Sequence, residues 1–154
     1  MFLIRGTQSS RLPAFDKILK SMYLYRKAAG HRRKGMERVN FIHHRGRQIL
    51  YLNFSGCSSK EVLSTIIEAK RIIRIQPRES VLTLTDVTGA RYNLEVTQAI
   101  KEFTNGNKIF VKAGAVVGLD GLKRIVYDAV IRFSGRNLPA FDDIEKAKDW
   151  LADQ

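Results

Sequence analysis

The sequence predicts an α/β domain, a small and largely parallel sheet of four or five strands whose first pair is antiparallel, flanked by about four helices. Three observations lead there. Beyond an opening hairpin, strand-like and helix-like segments alternate strictly as β-α-β-α-β-α-β-α, the order of a sheet built by right-handed crossovers. The helix-like segments carry apolar stripes, three of them behind recognisable capping residues. One strand-like segment ends in an almost continuous apolar run, which suits a strand buried on both faces.

The hairpin comes first: Val39-Asn-Phe-Ile-His-His pairs with Gln48-Ile-Leu-Tyr-Leu-Asn-Phe across the Arg45-Gly-Arg turn. Ser58 and Glu61 have the spacing of a capping box. After them Val62, Leu63, Ile66, Ile67, Ala69 and Ile73 form one stripe of a helix that Pro77 brings to an end. Val81-Leu-Thr-Leu-Thr-Asp alternates as a strand does. A Gly89 loop leads to a second helix capped by Asn93, with Val96, Ala99, Ile100 and Phe103 inward and Asn105-Gly106 as its stop. Lys108-Ile-Phe-Val-Lys-Ala-Gly-Ala-Val-Val is the strand with the apolar finish. A third helix is expected to bury Leu122, Ile125, Val126, Ala129, Val130 and Phe133 before Gly135. A short strand at Leu138–Phe141 follows, then a helix capped by Asp142 that turns Ile144, Ala147, Trp150 and Leu151 inward.

Composition narrows the function classes. The single cysteine, Cys57, excludes an intrachain disulfide and fits a reducing compartment. No segment approaches the roughly 18 apolar residues of a membrane span, and Arg5 interrupts the opening Met1-Phe-Leu-Ile, leaving no secretory core. A soluble, cytoplasmic domain is expected. The net charge of +12 points toward nucleic acid until its distribution is counted. Residues 1–35 hold nine Lys/Arg against one acid, a net of +8; residues 36–154 hold eighteen against fourteen, a net of +4.

The chain therefore divides into a basic extension, residues 1–35, and an α/β domain, residues 36–154. In the extension, Phe15, Ile18, Leu19 and Met22 repeat at helical spacing behind Pro13, and the segment ends in His31-Arg-Arg-Lys-Gly. Four readings stay open for it: an appendage without a fixed role, including a start assigned too early with Met36 as the true beginning; a targeting segment; a basic amphipathic helix for a membrane surface; and a nucleic-acid tail.

Ser80-Val-Leu-Thr-Leu-Thr-Asp-Val-Thr-Gly, the preceding Ile75-Gln-Pro, Val111-Lys-Ala-Gly-Ala-Val-Val-Gly and the closing Phe141–Leu151 segment together resemble the SpoIIAA-like domain family. That family has the STAS-type fold and is linked to SEC14-like lipid-binding folds. The resemblance spans about Val39 to Leu151 and rests on the order of elements. It implies a sheet flanked by helices and no catalytic residues. In STAS antagonists a Ser or Thr near an Asp and before a Gly is phosphorylated by a partner kinase, and Asp86-Val-Thr-Gly sets Thr88 in that place. A phosphate there adds about −1.5 to −2 charges. In the antagonists the site opens the helix directly, whereas here the helix cap is Asn93, five residues on. The plainer reading makes Asp86 and Thr88 turn formers that bond their own backbone.

Other candidates are weaker. Gly114-Ala-Val-Val-Gly-Leu-Asp-Gly121 joins a strand to a helix, where backbone amides can cradle an anion, yet it has neither the P-loop Lys-Ser/Thr nor dinucleotide spacing. His43 and His44 point to opposite faces of a strand and do not suit one metal, so one is expected exposed and the other half-buried. Cys57, just before a helix start, is expected as a small packing residue, and Ser55 and Ser134 lack a nucleophile elbow. Lys123, Arg124, Arg132 and Arg136 make a basic patch that reads as a solvated face or a receiver for an acidic partner or lipid headgroup.

The expected function is a non-enzymatic, regulatory module for a protein partner, without cofactor or metal. Its contacts are expected at the C-terminal ends of the parallel strands, where Asp86, Thr88, Gly89, Arg91, Gly118 and Asp120 fall. The alternative is a small-molecule or lipid-binding module with a pocket between sheet and helices. Nucleic-acid or membrane-surface binding through residues 1–35 is the third reading. Open sheet edges also permit a homodimer.

Overall fold

A computed structural model describes residues 37–154; the helix expected over residues 15–22 lies outside the described residues. The strands are β1 (Val39–His44), β2 (Arg47–Asn53), β3 (Val81–Asp86), β4 (Val111–Val117) and β5 (Ala140–Phe141). Between and after them come α1 (Ser59–Arg74), α2 (Leu94–Gly106), α3 (Gly121–Ser134) and α4 (Ile144–Ala152). The five strands form one sheet in sequential order, β1 antiparallel to β2 and every later pair parallel. This is the α/β architecture that the alternation of segments predicts. No helix among the described residues is long and apolar enough to cross a membrane.

Local chemistry starts and stops these elements. Arg45 and Gly46 both have positive φ, 48° and 77°, and His44 pairs with Arg47 across them. That is the two-residue turn whose twist matches the strands it joins. At α1 the Ser58 hydroxyl accepts from the Glu61 amide while the Glu61 carboxylate accepts from the Ser58 amide, satisfying two orphan donors reciprocally. Asn93 caps α2 and Asp120 caps α3, each accepting from the amide three residues on. Gly135 closes α3 in the left-handed conformation.

Parallel crossovers of one hand place successive helices on one face of a sequentially ordered sheet. α1 packs beside α2 and α2 beside α3, whereas α4 lies against the strands themselves. Two cores result. One joins Leu50 and Leu52 of β2 to Val62, Ile66, Ala69 and Ile73 of α1 and Val96 of α2. The other joins Ile49, Leu82, Leu84 and Val117 to Ala147 and Leu151 of α4. Alternate residues of β2 divide cleanly between the two, as the period of a strand requires.

Several elements differ from expectation. β4 starts at Val111, because Asn107 to Phe110 form a turn in which the Phe110 and Val111 amides donate to the Asn107 carbonyl (3.0 and 3.2 Å). β5 shrinks to two residues, and the cap of α4 is Asp143, which accepts from the Glu145 and Lys146 amides, rather than Asp142. The largest correction concerns α3. Leu122, Ile125 and Phe133 are exposed, and the buried residues of this helix are Lys123, Val130 and Ser134. The two-residue β5 leaves little sheet beside α3, and the exposed Phe133 ring meets the Lys101 ammonium of α2, 6.0 Å from its centroid. Ile67 of α1 is likewise exposed.

Candidate functional site

The loops after β2, β3 and β4 meet at the end of the sheet where the parallel strands finish. Backbone hydrogen bonds sew them together. The Phe54 amide donates to the Asp86 carbonyl (2.9 Å), the Gly56 amide to the Thr88 carbonyl (2.8 Å) and the Arg91 amide to the Cys57 carbonyl (2.9 Å). The Val87 amide reaches across to the Val117 carbonyl (3.0 Å), joining the β3 loop to β4. The Ser59 hydroxyl donates to the Arg91 carbonyl (3.2 Å), so the β3 loop is also pinned to the first turn of α1.

Asp86 organises the middle of this edge. One carboxylate oxygen accepts from the Thr88 amide (2.9 Å), closing a turn, and the other accepts from the Tyr51 hydroxyl (3.1 Å). Burial, reinforced by the nearby Asp86 charge, pushes the Tyr51 phenol up to about 12. Tyr92 is raised too, first by burial and then by the negative charge of Asp120.

Gly118 explains how the β4 loop fits. Its φ is +82°, and a Cβ there would lie 2.5 Å from the Thr88 nitrogen and 2.8 Å from its Cα, closer still to the hydroxyl. Only glycine supplies both the left-handed backbone and the room. Next to it, Asp120 bonds Lys123 through both its cap contact and an ion pair with the ammonium. The Lys123 hydrogen bonds hold the Asp120 carboxyl below its ordinary range. Lys123 is buried, which corrects its place in the expected solvated basic patch; its stem lies inside and its charge is met by its own helix cap. Arg124 and Arg132 are exposed, and Arg136 is half-buried.

The fold thus brings Asp86, Thr88, Gly89, Gly118 and Asp120 to one edge, with Arg91 exposed beside them. Thr88 is exposed, but α2 begins only at Leu94, so the hydroxyl does not open the helix. Three apolar residues at this edge are absent from the candidate-site residues of the sequence analysis, and two of them are expected there in the core. Leu94 is 87% exposed in the first turn of α2, and Leu122 and Ile125 are 68% and 66% exposed at the start of α3. An apolar residue just inside a capped helix start reads as core in any stripe, which is why two of the three are misplaced by sequence alone.

Of the remaining candidates, Cys57, His44, Ser55 and Ser134 make packing or hydrogen-bond contacts among the described residues. Cys57 is fully buried, and burial raises its thiol above the ordinary range, opposing the thiolate that a helix start favours. His43 is exposed; His44 is half-buried, with Nε2 2.7 Å from Asp149 of α4. The Ser55 hydroxyl donates to Asn53 and the Ser134 hydroxyl to the Val130 carbonyl.

Away from the loop edge, a cavity of about 40 Å³ lies between β2–β4 and the ends of α1 and α2. β3 turns Thr83 and Thr85 toward it, where larger apolar residues would fill more of the space, while Gly114 of β4 lets Thr83 and Leu138 pack closely beside it. A Cβ on Gly114 would stand 2.7 Å from both Thr83 Oγ1 and Leu138 Cδ2. Comparison with protein-family models, with curated proteins and with solved structures finds no match.

Proposed function

We propose that this chain is a non-enzymatic regulatory binding module, similar to the SpoIIAA-like domains, that docks a protein partner on the loop edge of its sheet. One observation carries the reading: Leu94, Leu122 and Ile125 stand exposed at the starts of α2 and α3, beside the loops that hold Asp86, Thr88, Gly89, Gly118 and Asp120. Grouped exposed apolar side chains with a polar rim are a common mark of an interaction surface. The polar groups of this edge support recognition over chemistry. Asp86 is engaged by Tyr51 and Thr88, and Asp120 by Lys123, so both carboxylates serve to hold loops in shape. The same geometry favours Thr88 as a turn former over Thr88 as a phosphosite.

Photocrosslinking of the full-length protein in its host tests this. A benzoylphenylalanine at Leu122 is expected to give a discrete adduct that Leu94→Asp removes, while the same group at Lys148, on α4, gives none. Equal adducts from both positions, or an adduct indifferent to Leu94→Asp, would refute the docking edge.

A further inference from the structure

The cavity beneath α1 and α2 carries an independent signal. Asn107, the residue that ends α2, is 2% exposed, and neither its amide nitrogen nor its carbonyl oxygen has a hydrogen-bond partner among the described residues. Its backbone is fully used: the amide donates to the Phe103 carbonyl and the carbonyl accepts from Phe110 and Val111. The side chain is therefore not required by the turn. It lines the cavity, as does Arg136. Leaving a buried amide unpaired costs about 1–3 kcal/mol, so such a group in a native fold calls for a partner.

Arg136 makes the demand more specific. Its guanidinium is half-buried and donates one long bond, 3.4 Å, to the Val111 carbonyl. No carboxylate among the described residues lies within ion-pairing distance of it. Burial lowers its proton affinity, as expected of a cation short of counter-charge. A planar fork of donors facing a cavity matches the two oxygens of a carboxylate. Leu52, Ile73, Phe103 and Leu138 supply apolar wall around these two groups.

We propose that this cavity is a binding site for a short-chain carboxylate, its oxygens held by Arg136 and the Asn107 amide and its carbon chain against the apolar wall. The volume admits only a small molecule, since a single water needs roughly 10–15 Å³ on this measure. Thr104, Arg136 and Leu138 are half-buried, so the wall reaches the protein surface. The proposal does not depend on the docking edge, which lies at another part of the fold.

Titration of ¹⁵N-labelled full-length protein with acetate and propionate, at ionic strength held constant with chloride, tests it. The Asn107 side-chain amide and Arg136 Nε signals are expected to shift and saturate, with dissociation constants of about a millimolar for ligands of this size. Acetamide, neutral and similar in shape, is expected to bind at least about tenfold more weakly, and Arg136→Gln to weaken acetate by a similar factor. Asn107→Leu is expected to abolish the shifts without lowering the melting temperature, because it removes an unpaired buried amide. Acetamide binding as well as acetate would overturn the anion site. So would shifts that fail to saturate, which would assign the cavity to water alone. A large drop in melting temperature for Asn107→Leu would give the amide a structural role instead. The acetate–acetamide contrast in the unmodified protein decides the matter even if a variant fails to fold.

Discussion

Gly118→Ala tests whether the β4 loop is seated on Thr88 as described. Two terms act against the alanine. Left-handed backbone costs an L-residue about 1–2 kcal/mol, and φ at Gly118 is +82°. The second is steric. The new Cβ would lie 2.5 Å from the Thr88 nitrogen and 2.8 Å from its Cα, both backbone atoms that cannot rotate away. Forced overpacking of this kind costs about 1–3 kcal/mol. Gly135→Ala is the matched control. Its φ is +62°, but the nearest atom to its Cβ is the flexible end of Lys108, 3.9 Å away. The strain and the gain from a stiffer unfolded chain, about 0.4–1 kcal/mol, are shared by both variants and cancel in the comparison. The steric term remains, about 1–3 kcal/mol, or about 4–12 °C at about 4 °C per kcal/mol. Thermal unfolding followed by circular dichroism is expected to rank the original protein above Gly135→Ala, and that variant well above Gly118→Ala. Midpoints for the two variants within about 2 °C of each other would show that the loop does not rest on Thr88.

Two further outcomes follow from the buried groups of the same edge. Tyr51, with its phenol pushed up to about 12 against 10.0 when unfolded, contributes stability fully present below pH 10 and lost as pH rises toward the folded value. Absorbance titration is expected to show this tyrosine ionising late, and Asp86→Asn to bring it down only part of the way, because burial is the larger cause; unchanged ionisation in Asp86→Asn would disprove the contact. Cys57, fully buried with a raised thiol, is expected to resist a thiol reagent at pH 8 in the native protein over the time in which urea-unfolded protein reacts completely. Rapid native reaction would contradict its burial.

Several starts and stops of elements were legible in the sequence because they are local, although the start of β4, the extent of β5 and the cap of α4 were not. The capping box at Ser58 and Glu61, the cap at Asn93 and the hairpin turn expected at Arg45-Gly-Arg each depend on atoms within a few residues of one another, the structure tightening that turn to Arg45-Gly46. The alternation of strands and helices was legible for a similar reason, and with the crossover rule it specified a parallel sheet behind an antiparallel pair. Clustering of Asp86, Thr88, Gly118 and Asp120 at one edge followed from that topology without any knowledge of side chains.

Tertiary structure decided what each face meets. An apolar stripe says that a helix has a side to bury and nothing about how much neighbour is there to bury it. For α3 a two-residue β5 left Leu122, Ile125 and Phe133 outside, while Lys123 went in with its cap as counter-charge. The fit of Gly118 on Thr88 joins residues thirty apart, and the cavity joins Asn107 to Arg136 across two elements. Asn107 reads in sequence as one more polar residue after a helix stop. Its unpaired amide shares a cavity with Thr83, Thr85 and Arg136, and such spacing is fixed by sheet register and helix packing together, which no local pattern encodes.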